Sequence, residues 1–223
     1  MGTEHSAAYL GVRERVTALV APLGDLRARP CPATPEWSVH DVLAHLSGVC
    51  ADVEAGRLDG ITTDAWTAAQ VDPRRAITTA EVLAEWDRLG LGFATALGGA
   101  PDVIAGQAVF DAITHEFDIR HALGQPGGRD SDAFVIAWAW ITVALSGREG
   151  APVAVVTDEG DEFTMGTGNA VASLRTSRFE CFRGTTGRRS ADEVVAWAWD
   201  PAPRPDLVPG AAIFRLRDEP LGE

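Results

Sequence analysis

The sequence predicts an α+β protein, with a four-helix bundle over residues 1–128 and a small α+β unit over residues 129–223. Three observations carry this reading. The first half holds four segments whose apolar residues recur at helical spacing, each with a start or stop signal. After "QPGGRDSD" the pattern changes to short strand-like runs and short helices. The chain has 223 residues, 46% of them hydrophobic and 23% charged, which is a globular composition long enough to bury a core in one or two domains.

The first helix is read from Tyr9 to Leu23, where Leu10, Val12, Val16, Leu19, Val20 and Leu23 fall close to helical period and Gly24 stops the run. The second starts at Ser38. Ser38 and Asp41 have the spacing of a capping box, with Asp replacing the usual Glu, and the apolar stripe is Val42, Leu46, Val49 and Val53. The third starts near Thr78 with a box to Glu81, runs through Val82, Leu83, Trp86 and Leu89, and ends at Gly98-Gly99. Gly90 and Gly92 inside it weaken its continuity. The fourth runs from about Asp102 to Leu123, with Gly124 as C-cap and Pro126 beyond. Four helices of this length suggest a bundle. The connection over residues 58–77 is long, and long ordered connections often carry function or cover a site.

In the second part, Ser131 or Asp130 can cap a helix carrying Phe134, Ile136, Trp138, Trp140, Ile141 and Leu145. It is apolar nearly all round and is expected to be buried. "PVAVVTD", "EFTMGT" and "AVASLRT" read as strands, with "DEGD" as a hairpin turn between the first two. "RFECFRGTTG" and "SADEVVAWAW" read as short helices, the second boxed by Ser190 and Glu193, and "AIFRL" reads as a last strand.

The formal net charge is −13, which argues against a nucleic-acid partner, because phosphate binding needs clustered cations. Every basic residue is Arg, so lysine Schiff-base chemistry is excluded. "MGTEHSAAYLGVRERV" lacks the features of a signal peptide, and "FVIAWAWITVAL" is too short to span a bilayer. Cys31, Cys50 and Cys181 form neither a zinc pattern nor a disulfide framework. The expectation is a soluble cytoplasmic protein with reduced thiols, no nucleic acid and no membrane, as a monomer or homodimer.

"DAITHEFDIRHALG", residues 111–124, concentrates the chemistry-bearing residues. Asp111, His115, Asp118 and Ala122 share one helical stripe, while Glu116 and His121 point elsewhere. The HExxxxH spacing differs from the HExxH of helical zinc proteases and puts the two histidines on different faces, so the protease reading is rejected. An Asp-xxx-His pair on one face can bind a divalent ion but needs a third ligand. His45, mid-way along the second helix beside Val42, Leu46 and Val49, is the natural candidate. Two His nitrogens and one carboxylate leave an open coordination position, as in catalytic metal sites. Zinc suits the set, and nickel or ferrous iron can also accept it. Asp118 can orient an imidazole from outside the ligand set. Taken singly, His45 also reads as a hydrogen-bonded core residue, and Asp111 with His115 as a simple helix-face pair. Cys50 falls off the His45 stripe and reads as a packed core thiol.

These residues resemble a known family. "TPEWSVHDVLAHLSG" is similar to the second-helix motif of the DinB-like superfamily, in particular its mycothiol-dependent maleylpyruvate isomerase branch. "DAWTAAQVDPRRAITTAEVLAEWD", "THEFDIRHALGQPGGRDSDA" and "FRGTTGRRSADEVVAWAWD" resemble, in order, that branch's third-helix region, fourth-helix signature and C-terminal domain. The resemblance implies a four-helix bundle with a zinc site at His45, Asp111 and His115. The isomerase has Glu where this chain has Asp111, one methylene shorter. It further implies mycothiol as thiol cosubstrate and a small electrophilic acid as second substrate, the outcome being S-transfer or cis-trans isomerisation. Arg183 and Arg188 are the expected contacts for the substrate's carboxylate, since a guanidinium binds it with two donors. Two rivals stand beside this reading: a non-catalytic binding module, and a metal-dependent hydrolase needing Asp118 or Glu116 as base.

Overall fold

The computed structural model describes residues 2–208 and 214–223. The chain divides into two compact units, Met1–Ala137 and Trp138–Glu223. The first is helical: α1 (Gly2–Val20), α2 (Val39–Ala55), α3 (Asp64–Val71), α4 (Thr79–Gly99) and α5 (Asp102–Leu123). A sixth helix, α6 (Asp132–Ser146), contains the division between the units.

Local chemistry sets the helix ends as the sequence indicates. Ser38 accepts from the Asp41 backbone N–H while Asp41 accepts from that of Ser38, and Thr78 and Glu81 form the same reciprocal box at α4. Gly124 adopts φ 65° and closes α5 as its C-cap. α1 begins seven residues before the expected Tyr9, and its last expected turn, Ala21–Leu23, is a 3₁₀ turn. α4 is continuous through Gly90 and Gly92.

α1 packs on α4 and α5, and α2 packs on α4 and α5, so the long helices close a ring in the order α1–α4–α2–α5. This is the predicted bundle. Val12, Val16 and Val20 of α1, Val82, Trp86 and Phe93 of α4, and Val109, Ile113 and Phe117 of α5 fill its interior. One polar thread crosses that core. Trp86 Nε1–H donates to Tyr9 Oη (2.8 Å), and Tyr9 Oη lies 3.0 Å from Cys50 Sγ, joining α4, α1 and α2. Cys50 is thus the packed core thiol expected of it.

The 58–77 connection is more ordered than a loop. It carries α3 and a 3₁₀ turn, Asp72–Ala76, and α3 packs on α2. Arg74 fixes the connection by pairing with Glu85 of α4 through Nε (2.6 Å) and a second guanidinium nitrogen (2.9 Å), and by donating to the Gln70 carbonyl (2.7 Å).

In the second unit, β1 (Val153–Thr157), β2 (Glu162–Met165), β3 (Ala172–Thr176) and β4 (Ala198–Asp200) form a sheet in the order β2-β1-β3-β4. β1 is antiparallel to β2 and parallel to β3, and β3 is antiparallel to β4. Val153 and Val155 point inward and alternate with half-exposed Ala154 and Val156. α7 (Arg178–Thr185) and α8 (Ala191–Val195) follow, the latter closed by the expected Ser190–Glu193 box.

Three expectations need correction. "SADEVVAWAW" is helical only over Ala191–Val195, and its end forms β4, because pairing with β3 satisfies the backbone where a lone short helix would not. α6 is not buried all round, since Val135 is 53% and Val143 76% exposed. Its apolar composition reflects abundant Ala and Val, which cost little to expose singly. The "AIFRL" strand begins at Ala212 and Ile213, which lie outside the described residues; Phe214–Leu216 carry no strand, and Arg217 makes only an isolated bridge to Ser190. Among the described residues, no helix is long and apolar enough to cross a membrane.

Candidate metal centre

α2 and α5 are neighbours in the bundle ring, and this brings His45 beside Asp111 and His115. His45 Nε2 lies 3.4 Å from Asp111 Oδ2, and His115 Nε2 lies 3.7 Å from Asp111 Oδ1. The donor atoms of the three residues all fall within 4.8 Å of one another. Both histidines are buried, and the Asp111 side chain is 38% exposed, so the cluster opens to solvent on the Asp111 side. The chain's chemistry fits a divalent cation. Bonds of about 2.0–2.1 Å at tetrahedral angles set neighbouring donors about 3.3–3.4 Å apart. The spacings around Asp111 approach that value and exceed the length of a strong imidazole–carboxylate hydrogen bond.

The orientation of His115 is held from behind. Its Nδ1–H donates to Asp118 Oδ2 at 3.0 Å, and Asp118 is fully buried. A carboxylate only accepts, so the neutral imidazole keeps its proton on Nδ1 and presents the Nε2 lone pair toward Asp111. His45 Nδ1 lies 2.7 Å from Gln70 Oε1, a contact from α3 that sequence reasoning missed. Nothing in the local pattern marks Gln70, and only its position in a connection already suspected of covering a site could have drawn attention to it.

Burial works to lower the His45 pKa, but the Asp111 carboxylate, Gln70 and Asp52 together outweigh it and raise the imidazole above its ordinary 6.5. Trp37 stands beside both histidines, its ring centroid 5.4 Å from that of His45 and 6.0 Å from that of His115. A tight turn sets its position: Cys31 N–H donates to the Trp37 carbonyl (3.0 Å) and Trp37 N–H to the Thr34 carbonyl (2.8 Å). Arg29 ties the same loop to the end of α5 by donating to the Ala122 carbonyl (2.8 Å), one of the acceptors a helix end leaves over.

The remaining charges of the fourth-helix motif do other work. Glu116 is fully buried and receives Arg15 of α1 through two bonds (2.9 and 2.7 Å) and Arg120 Nε (2.9 Å). It therefore pins α1 to α5 and lies off the ligand stripe. With Asp118 on His115 and Glu116 between two arginines, both carboxylates considered as hydrolytic bases are engaged elsewhere.

Arg183 and Arg188 lie in the second unit and are buried. Arg183 Nε donates to Glu223 Oε2 at 2.7 Å, and Arg188 donates to the Thr186 carbonyl at 2.6 Å. Their neighbour Arg189, which sequence reasoning did not single out, makes two 2.7 Å bonds to Glu180 and a third of 2.9 Å to Glu223.

Residues 10–119 match the family model described as mycothiol maleylpyruvate isomerase N-terminal domain, a span that contains all three candidate ligands together with Gln70 and Asp118. No curated protein and no solved structure matches the chain.

Proposed function

We propose that this chain, whose residues 10–119 belong to the mycothiol maleylpyruvate isomerase N-terminal domain family, is a metal- and thiol-dependent enzyme acting on a small electrophilic acid. The observation that carries this reading is the convergence of His45, Asp111 and His115, whose donor atoms all lie within 4.8 Å of one another, with His115 held from behind by Asp118. In this reading those three residues hold zinc, or nickel in its place, and the thiol is mycothiol.

A divalent cation there supplies the positive charge that keeps an entering thiol deprotonated at neutral pH. The protein's own groups prepare the site. The two histidines bring nitrogen donors without charge, and Asp111 brings a single negative oxygen on the solvent-facing side. Asp118 keeps the His115 lone pair forward, and Trp37 shields the imidazole rings from water. The thiol sulfur adds to an electrophilic carbon–carbon double bond, forming C–S and moving the π electrons toward the acid's carbonyl. Rotation about the resulting single bond, then return of those electrons with loss of the thiol, isomerises the acid; protonation at carbon instead leaves the conjugate. Arg183 and Arg188 are the proposed carboxylate contacts, and an acid binding to them would exchange with Glu223 and the Thr186 carbonyl.

Elemental analysis of wild type beside His45→Ala and Asp111→Ala tests the centre. The expected result is near one equivalent of zinc or nickel in wild type and loss in both variants, with turnover of unsaturated acids that requires added thiol. Absence of metal after reconstitution would leave a non-catalytic bundle, and thiol-independent turnover would favour the hydrolase.

A further inference from the structure

We infer that Gln70 is a positioning residue of the metal centre, and that a relay from the exposed Arg57 through the buried Asp52 sets the direction in which its amide points. The inference rests on the metal-site reading above. Gln70 is 1% exposed and stands on α3, in the connection between two bundle helices. Its Nε2 donates to Asp52 Oδ2 at 2.9 Å, and its Oε1 faces His45 Nδ1 at 2.7 Å. Asp52 receives Arg57 on its other oxygen, through Nε at 2.9 Å and a second guanidinium nitrogen at 2.8 Å.

Each link follows from what the groups can donate. A carboxylate held by Arg57 only accepts, so the amide NH2 of Gln70 must face Asp52. The amide oxygen is then left for His45, and an oxygen there requires the His45 proton on Nδ1. In the neutral imidazole Nε2 then presents its lone pair toward Asp111, as on His115. The two histidines reach the same ligating tautomer by different means: His115 through a carboxylate on its own helix, His45 through an amide delivered from a separate segment.

The delivery itself is built into the fold. A Cβ placed on Gly48 would stand 2.5 Å from Gln70 Cβ, so only glycine lets α3 come this close to α2. Gly48 is one turn beyond His45, on the side from which Gln70 arrives. The Gln70 carbonyl is held by Arg74, which is anchored on Glu85. Side chain and backbone of Gln70 are thus both fixed, as expected of a group that must aim a neighbour.

The test uses the full chain, zinc chloride as the probe, and two variants. Gln70→Leu removes the amide at similar volume. Asp52→Asn leaves Gln70 in place but lets its amide turn over, so that an NH2 can face His45. Zinc affinity is measured by competition with a chromophoric chelator, and the His45 tautomer by ¹⁵N chemical shifts of the metal-free protein at alkaline pH. The expected result is the Nδ1–H form in wild type, a mixed or reversed tautomer in both variants, and zinc binding about 10–100-fold weaker. Unchanged tautomer and affinity in a folded Asp52→Asn chain would overturn the relay even if Gln70→Leu fails to fold. Wild type with the Nδ1–H tautomer but no zinc binding would instead sink the metal reading and leave the Gln70 geometry standing.

Discussion

Asp118→Asn isolates the charge behind His115 while nearly preserving shape. Asp118 is fully buried and sits 3.0 Å from Nδ1, so its charge acts in a medium where screening by water is weak. A hydrogen bond to a charged group contributes about 1.5–3 kcal/mol, and a neutral one about 0.5–1.5 kcal/mol. The amide oxygen keeps an acceptor for Nδ1–H, so the variant loses the difference, about 1–2 kcal/mol, in the basicity and aim of the ligand. That corresponds to roughly 5–30-fold weaker metal binding. Competition of zinc against a chromophoric chelator measures it, with the melting temperature of the metal-free variant as the control for folding. Binding within about twofold of wild type, by a normally folded variant, would refute the claim that Asp118 supports His115 as a ligand.

Four other outcomes are expected. His45 in the metal-free chain has its pKa raised above 6.5, chiefly by Asp111 acting against burial. Its protonated form therefore stabilises the folded chain below about 6.5 and that contribution fades as pH rises through the folded value; zinc must displace the same proton, so affinity should climb across this window, and a flat profile between about pH 6 and 9 would contradict it. Gly48→Ala should weaken zinc binding by about tenfold while every hydrogen-bonding group of the site stays intact, because α3 must retreat from the added Cβ; an unchanged chelator titration would count against that close approach. Glu116→Ala should lower unfolding free energy in urea by about 3 kcal/mol, the low end of the range for a broken buried pair because Arg15 and Arg120 keep some solvent, and should leave zinc stoichiometry unaltered. Native protein at about pH 8 should resist iodoacetamide, since burial raises the thiol of Cys31 and pushes Cys50 up to about 11 and Cys181 up to about 12; rapid alkylation before unfolding would show that a thiol is accessible.

How much of this was legible in the chain divides along the reach of the interactions. The boxes at Ser38–Asp41, Thr78–Glu81 and Ser190–Glu193 join residues three apart, and the structure forms each of them. The Asp111–His115–Asp118 stripe is likewise a property of one helix, so both the candidate ligand pair and the carboxylate behind it could be read from spacing alone. His45 stood out because a histidine on an apolar helix face has no local partner, which signals a distant one. The family resemblance pointed to the same three residues.

The rest depends on which segments meet, and spacing along one helix does not encode that. The sequence could not show that Glu116, four residues from an arginine that partly accounts for it, is also gripped by Arg15 from about a hundred residues earlier. Nor could it separate the helical and extended halves of "SADEVVAWAW", because β4 exists through its partner strand. Above all it gave no mark to Gln70. That residue matters only because Gly48 leaves a gap, Arg74 grips its carbonyl, and Asp52 turns its amide, and these groups come together only when α2, α3 and α4 pack. By itself the sequence determined the four long bundle helices, the capping boxes and the Asp111–His115–Asp118 stripe, because those rest on local hydrogen bonds and helical period. The tertiary structure decided how the donors are aimed, because a hydrogen bond's direction depends on every group around it, including those brought from elsewhere in the chain.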